Sequence, residues 1–121
     1  MAKRVLMVDD SMMVRQMVSF TLKEAGFDVV EAEHGQDAMN KLGSNTVDLI
    51  VTDLNMPVMN GIDFIAGARA LPATRYVPIL MLTTESHPEM KQKGKAAGAT
   101  GWIVKPFNPQ QLLAVVSKVL H

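Results

Sequence analysis

The feature that most constrains this chain is a rhythm: short β-rich runs alternate with longer stretches of helical spacing, five times over. The runs are Arg4 to Val8, Asp28 to Ala32, Asp48 to Thr52, Val77 to Leu82 and Thr100 to Val104. Between and after them the apolar residues recur every three or four positions. The spacing predicts helices over Met12 to Ala25, Gln36 to Leu42, Ile62 to Leu71, Pro88 to Ala97 and Pro109 to Leu120. In the first of these, Val14, Met17, Val18, Leu22 and Ala25 form the inward stripe. Ser11 is placed to cap its start and Gly26 to end it. Leu112, Leu113, Val116, Val119 and Leu120 form the stripe of the last. Strands alternating with helices through short links argue for a parallel sheet covered on both faces. Right-handed crossovers then leave few topologies.

Length and composition agree with that architecture. At 121 residues, the expectation is a single domain over 1–121, large enough to bury a core without staples. The chain is 48% hydrophobic and 20% charged, which suits a globular protein and not a disordered one. It has no cysteine, so disulfides, thiolate metal sites and a catalytic thiol are excluded. Lys plus Arg equals Asp plus Glu at twelve each, so nothing favours nucleic acid as a partner. The apolar runs fall far short of the ~20 residues that span a bilayer. No long apolar stretch follows Met1-Ala2-Lys3-Arg4, so no signal peptide is read there. The expected setting is the cytoplasm, with no membrane partner.

Ligands of open parallel sheets bind where the strands end. After the first strand come Asp9 and Asp10. The third leads into Asp53, Leu54, Asn55, Met56 and Pro57. The fourth is followed by Thr83, Thr84 and Glu85, and the fifth by Lys105 and Pro106. Nothing comparable follows the second strand, where Glu33, His34 and Gly35 read as a turn. Each of these pieces alone is ordinary: Asp-Asp pairs cap helices, and Lys-Pro sits on surfaces. Their coincidence at one sheet edge is what carries weight. Three carboxylates there repel one another, at roughly 4 kcal/mol for a pair ~4 Å apart in an effective dielectric near 20. Such a cluster calls for a counterion, and oxygen-only ligands favour Mg²⁺ over Zn²⁺. A carboxylate nucleophile, a metal, a lysine and a hydroxyl form a site able to stabilise a transferring phosphoryl group.

These residues match a known pattern. Val8-Asp9-Asp10-Ser11, the run Asp53-Leu54-Asn55-Met56-Pro57-Val58-Met59-Asn60-Gly61, Leu82-Thr83-Thr84, and Gly98 through Phe107 together resemble the receiver domains of two-component response regulators. Within that family the stand-alone chemotaxis type is the nearest in kind. The resemblance covers essentially the whole chain. It implies a flavodoxin-like, doubly wound five-stranded parallel sheet in the order 2-1-3-4-5, with five helices. It implies that Asp53 accepts a phosphoryl group from a sensor histidine kinase, CheA-like if the pathway is chemotaxis. It further implies that Asp10 and Asp53 bind Mg²⁺ by side chain and Asn55 by its carbonyl, while Asp9 acts through water. Thr83 and Lys105 would hold the phosphoryl oxygens, and Thr83 and Trp102 would form the switch. Asn55 and Glu85, flanking the phosphate path, would tune dephosphorylation. The Lys105-Pro106 bond would be cis. Trp102 is larger than the Tyr, Phe or His usual at the switch position, and Thr84 stands where small residues are common.

On this reading the protein is a phosphoacceptor that catalyses only its own phosphotransfer and dephosphorylation. Only 16 residues follow Lys105 (121 − 105), too few for a DNA-binding domain. Output is therefore expected through protein contact by a monomer. The flagellar motor switch is the expected target, with a phosphate sink or relay as the alternative. The expected output face combines Pro88 to Ala97, the fifth strand and the last helix around Trp102, with Lys91, Lys95 and Lys118 on it. A flavin carrier would want a Gly/Ser/Thr loop where Asp9-Asp10-Ser11 stands. An aspartyl phosphatase would want its nucleophile after strand one, and a silent scaffold would need a broken site.

Overall fold

The computed structural model describes residues 2–54, 56–83 and 88–120. Five strands, β1 (Arg4–Val8), β2 (Asp28–Ala32), β3 (Leu49–Asp53), β4 (Ile79–Thr83) and β5 (Gly101–Val104), alternate with five helices. The helices are α1 (Met12–Glu24), α2 (Gly35–Leu42), α3 (Gly61–Ala70), α4 (Pro88–Ala97) and α5 (Pro109–Val119). The sheet order is β2-β1-β3-β4-β5, and every pairing is parallel. The doubly wound fold expected from the strand–helix rhythm is therefore the one formed.

Burial follows from the sheet being covered twice. β3 and β4 lie inside the sheet and are buried at all five positions each, which explains their unbroken apolar runs. Side chains of the sheet divide between two cores. Leu6, Val8, Ile50 and Met81 pack with Phe64, Ile65 and Ala68 under α2, α3 and α4. Val5, Met7, Val51, Leu80 and Leu82 pack with Val18, Leu22, Leu112 and Val116 under α1 and α5. None of the described helices is long and apolar enough to cross a membrane.

Local chemistry sets the helix ends. Ser11 Oγ accepts from Val14 N–H, Asn60 from Asp63 N–H, and Asn108 forms a reciprocal capping box with Gln111. At His34 the cap is a ring: Nδ1 accepts from Asp37 N–H at 3.1 Å.

The boundaries differ from the sequence expectation where polar contacts compete with periodicity. Asp48 is not in β3; its carboxylate accepts from Arg4 N–H at 2.8 Å, and the strand runs on to Asp53, opposite Leu82. β4 starts at Ile79 and not at Val77, because Arg69 captures the Val77 carbonyl at 2.6 Å. Thr100 stands just outside β5, joined to Ile79 by two hydrogen bonds. Ala25 and Leu71 cap their helices from outside them, and Ala25 is exposed. A short 3-10 turn at Pro72–Thr74 joins α3 to β4 and had no clear periodic signal.

Candidate functional site

Four strands deliver the residues at their carboxyl ends to one edge. Val8 pairs with Thr52, so Asp9 follows β1 beside the end of β3, where Asp53 stands. Thr83 ends β4, and Lys105 follows β5, its N–H donating to Thr83 O at 2.7 Å. Asp9, Asp10 and Asp53 each offer a carboxylate oxygen, all within 4.8 Å of one another. The structure thus brings together Asp9, Asp10, Asp53, Thr83 and Lys105. Asn55, Thr84 and Glu85 lie outside the described residues.

The three carboxylates have different surroundings. Asp9 is fully buried, and its Oδ2 meets Lys105 Nζ at 3.0 Å while its Oδ1 accepts from Ser11 N–H at 2.9 Å. Asp10 is exposed. Asp53 is buried, with Oδ1 taking a hydrogen bond from Leu54 N–H at 2.8 Å and lying 3.4 Å from Lys105 Nζ. Burial raises the Asp53 carboxyl above the ordinary aspartate value, and the Asp9 charge raises it further; Lys105 and the Leu54 N–H oppose that rise without cancelling it. One lysine facing two buried carboxylates, with a third at the rim, leaves net negative charge. Oxygen donors at this spacing fit a hard divalent cation.

Behind the carboxylates lies a residue that the strand-end reading missed. Arg15 is buried; its Nη1 donates to Asp9 O at 2.7 Å, and its Nε lies 3.4 Å from Glu31 Oε1. It fixes the backbone from which Asp9 projects. The signal was present in the sequence, since Arg15 falls between Ser11 and Val18–Ser19 on the inward stripe of α1. Gly61, the first residue of α3, packs so closely on the Asp53 carbonyl that no side chain fits between them. The loop between them carries Val58 at φ 69°, and the Lys105–Pro106 peptide is cis.

Trp102 stands apart from the acidic edge. It is half-buried on β5 opposite Met81, and Val104 is opposite Thr83. Partners in register point to the same face, so Thr83 and Trp102 both lie on the side covered by α3 and α4. A groove of about 390 Å³ opens along β5, between Lys95 of α4 and Val115, Lys118 and Val119 of α5, with Trp102 in its floor.

Fold and acidic edge together define a class: a doubly wound α/β receiver module with carboxylates and a lysine at the carboxyl end of its sheet. The chain belongs to the response regulator receiver domain family, whose pattern matches residues 5–117. It is 51% identical to chemotaxis response regulator CheY4 of Vibrio cholerae, with a TM-score of 0.96 over 99% of this chain and 100% of that one. Chemotaxis protein CheY1 of Helicobacter pylori is 41% identical over 97% of this chain and 96% of that protein. The phosphate regulon transcriptional regulatory protein PhoB of Escherichia coli is 39% identical over the whole of this chain and 53% of its own length. The chain thus spans about half the length of PhoB and nearly all of CheY1.

Proposed function

We propose that this chain is a phosphorylation-dependent switch in which Asp53 is the phosphoacceptor. The observation that carries the reading is the buried Asp53 carboxylate, set between Lys105 and two further carboxylates at the end of the central strand. A carboxylate oxygen of Asp53 attacks the phosphorus of a phosphohistidine on a sensor kinase. The P–N bond breaks, its electron pair returns to the imidazole, and an acyl phosphate forms on Asp53. Leu54 N–H holds one carboxylate oxygen and so orients the attack. Lys105 turns from Asp53 to the incoming phosphoryl oxygens, and the Thr83 hydroxyl donates to them. Asp10 and Asp53 side chains, with the Asn55 carbonyl, would hold Mg²⁺, and Asp9 would act through water. Bound there, the ion neutralises charge on the carboxylates and on the phosphoryl group.

Phosphate at Asp53 favours a state with Thr83 and Trp102 turned inward, and a partner binds that state better. Their shared sheet face supports this coupling. The partner contacts the face of α4, β5 and α5, where Lys95 and Lys118 flank the groove beside Trp102. Asn55 and Glu85 tune hydrolysis. The likeness to CheY4 and CheY1 supports a chemotaxis role, with a CheA-like kinase upstream and the flagellar motor switch downstream, in the cytoplasm. Mass measurement after acetyl phosphate with Mg²⁺ tests the core of the proposal. Wild type gains one phosphoryl group and Asp53→Asn gains none. An unmodified wild type, or equal modification of both, overturns it. Pull-down with and without a phosphoryl mimic separates an output protein from a phosphate sink or relay, which needs no mimic-dependent target.

A further inference from the structure

We infer that Lys91 is a latch that holds Trp102 in its resting position and so sets how readily phosphate at Asp53 is read. The inference rests on the switch role given to Trp102 above and adds a residue to it. The Lys91 ammonium lies 4.8 Å from the centre of the Trp102 ring. That is the geometry in which a cation is drawn to the negative face of an indole, the strongest aromatic partner for it. Three lysines of α4 could be solvated decoration. Lys93 and Lys95 are exposed, but Lys91 is half-buried. Among the described residues no carboxylate forms an ion pair with Lys91, and the Trp102 ring is in reach of its charge.

The position of the pair gives it leverage. Further along, α4 is held at two points. Gly94 sits against the Met81 side chain with no room for a methyl group between them, and Arg69 Nε donates to Gly98 O at 2.9 Å just past the last turn. Lys91 lies one turn before Gly94, in the half of α4 nearer the segment that follows Thr83. There its bond to Trp102 joins α4 to β5. If Thr83 moves toward a phosphoryl group and Trp102 turns inward, the indole leaves the ammonium. The contact exists in one state only, and a contact of that kind shifts the equilibrium.

Linkage gives the sign and size of the effect. A latch that favours the resting state weakens every ligand of the switched state by the same factor. Releasing it tightens binding of a phosphoryl mimic at Asp53 by about two- to tenfold, the range expected of one partly exposed cation–π contact. Simple charge loss predicts the reverse, because removing a lysine weakens attraction for an anionic mimic. The direction therefore discriminates.

The experiment titrates the full chain with beryllofluoride and Mg²⁺, reading bound fluoride by ¹⁹F NMR and Trp102 by fluorescence. Acrylamide quenching of Trp102 is measured without the mimic. Lys91→Gln is expected to bind the mimic about two- to tenfold more tightly and to change the quenching of Trp102. Lys91→Arg, whose guanidinium also stacks on an indole, should stay near wild type, as should Lys93→Gln, which removes the same charge from an exposed site. Lys91→Gln binding no more tightly than wild type overturns the latch, and so does Lys91→Arg behaving like Lys91→Gln. A wild type that binds no mimic refutes the phosphoacceptor reading instead. The latch is then judged by quenching alone, and unchanged quenching in Lys91→Gln overturns it.

Discussion

Gly61 lies against the backbone carbonyl of Asp53, so the first turn of α3 and the end of β3 are in direct contact with no side chain between them. A Cβ at Gly61 would also stand 2.8 Å from Leu54 Cα. Backbone cannot swing aside as a flexible side chain can. Gly61→Ala is expected to cost about 1–3 kcal/mol by overpacking. It should also displace Asp53, slowing acetyl phosphate labelling. Urea denaturation and mass measurement check the two effects, and an unchanged labelling rate would remove Gly61 from the support of the site.

A second prediction follows from the raised Asp53 carboxyl. The folded chain holds this proton more tightly than the unfolded chain does. Stability therefore falls as pH rises from the ordinary aspartate range through the folded value, and the cost persists above it. Asp53→Asn is expected to be more stable than wild type at neutral pH without metal. The advantage should vanish below the ordinary aspartate value, where the carboxyl is neutral in both states. Chemical denaturation at several pH values measures this; an advantage that grows toward acid pH would contradict the sign.

Mg²⁺ should act in the opposite direction to that cost. Binding to the folded state alone adds about 2.7 kcal/mol at a hundred times the dissociation constant. Wild-type Tm is expected to rise with Mg²⁺ and fall back on chelation. Asp10→Asn keeps the buried pair of Asp9 and Lys105 but removes the exposed carboxylate. It should need roughly tenfold more Mg²⁺ for the same rise, since a unit charge at ~4 Å contributes about 1 kcal/mol in water and more at lower dielectric, and about 1.4 kcal/mol is tenfold. Identical titrations would take Asp10 out of the metal site.

Val58 presents a different opportunity. It is an exposed β-branched residue at φ 69°, a region that L side chains occupy at a cost of about 1–2 kcal/mol. Val58→Asn is expected to stabilise the chain by about 1 kcal/mol, because Asn tolerates this conformation. The guanidinium chloride midpoint should rise with an unchanged slope. A lower midpoint would show that the Val58 side chain has a contact worth more than its strain.

Arg69 is a structural cation. Its Nε serves Gly98 O, and its Nη1 reaches the carbonyls of Thr74, Arg75 and Val77. Burial lowers its pKa from the ordinary arginine value. Arg69→Met keeps the stem and removes the donors, and a loss of about 3 kcal/mol is expected from charged hydrogen bonds of this kind. Hydrogen exchange should rise at the end of α4 and the start of β4 before it rises elsewhere.

Much of this was legible in the sequence because two periods and one edge rule suffice. The alternation of apolar runs gave the number of strands and helices, and strand ends gave Asp9, Asp10, Asp53, Thr83 and Lys105 as neighbours. What stayed hidden depends on backbone atoms. Arg15 and Arg69 act on carbonyls, which no residue letter reports, although Arg15 lay on an apolar stripe where a charge is anomalous. The start of β4 shifted for the same reason, through the Val77 carbonyl. Lys91 read only as one of three lysines on the expected output face, since its distinction lies in the ring across from it. The different surroundings of Asp9 and Asp53 also required the fold, because burial and distance to Lys105 are three-dimensional facts.

Lys105 and Asp9, joined at 3.0 Å, are 96 positions apart in the chain. No local segment can hold that contact, so the acidic edge forms only when the first and fifth strands have both docked on the sheet. During synthesis the carboxylates of β1 and β3 emerge long before the lysine that faces them. A chain still missing its fifth strand would carry the Asp53 carboxylate without the lysine that faces it. On the proposed function, competence to receive a phosphoryl group is thus acquired late, and a half-made molecule would not compete for the donor.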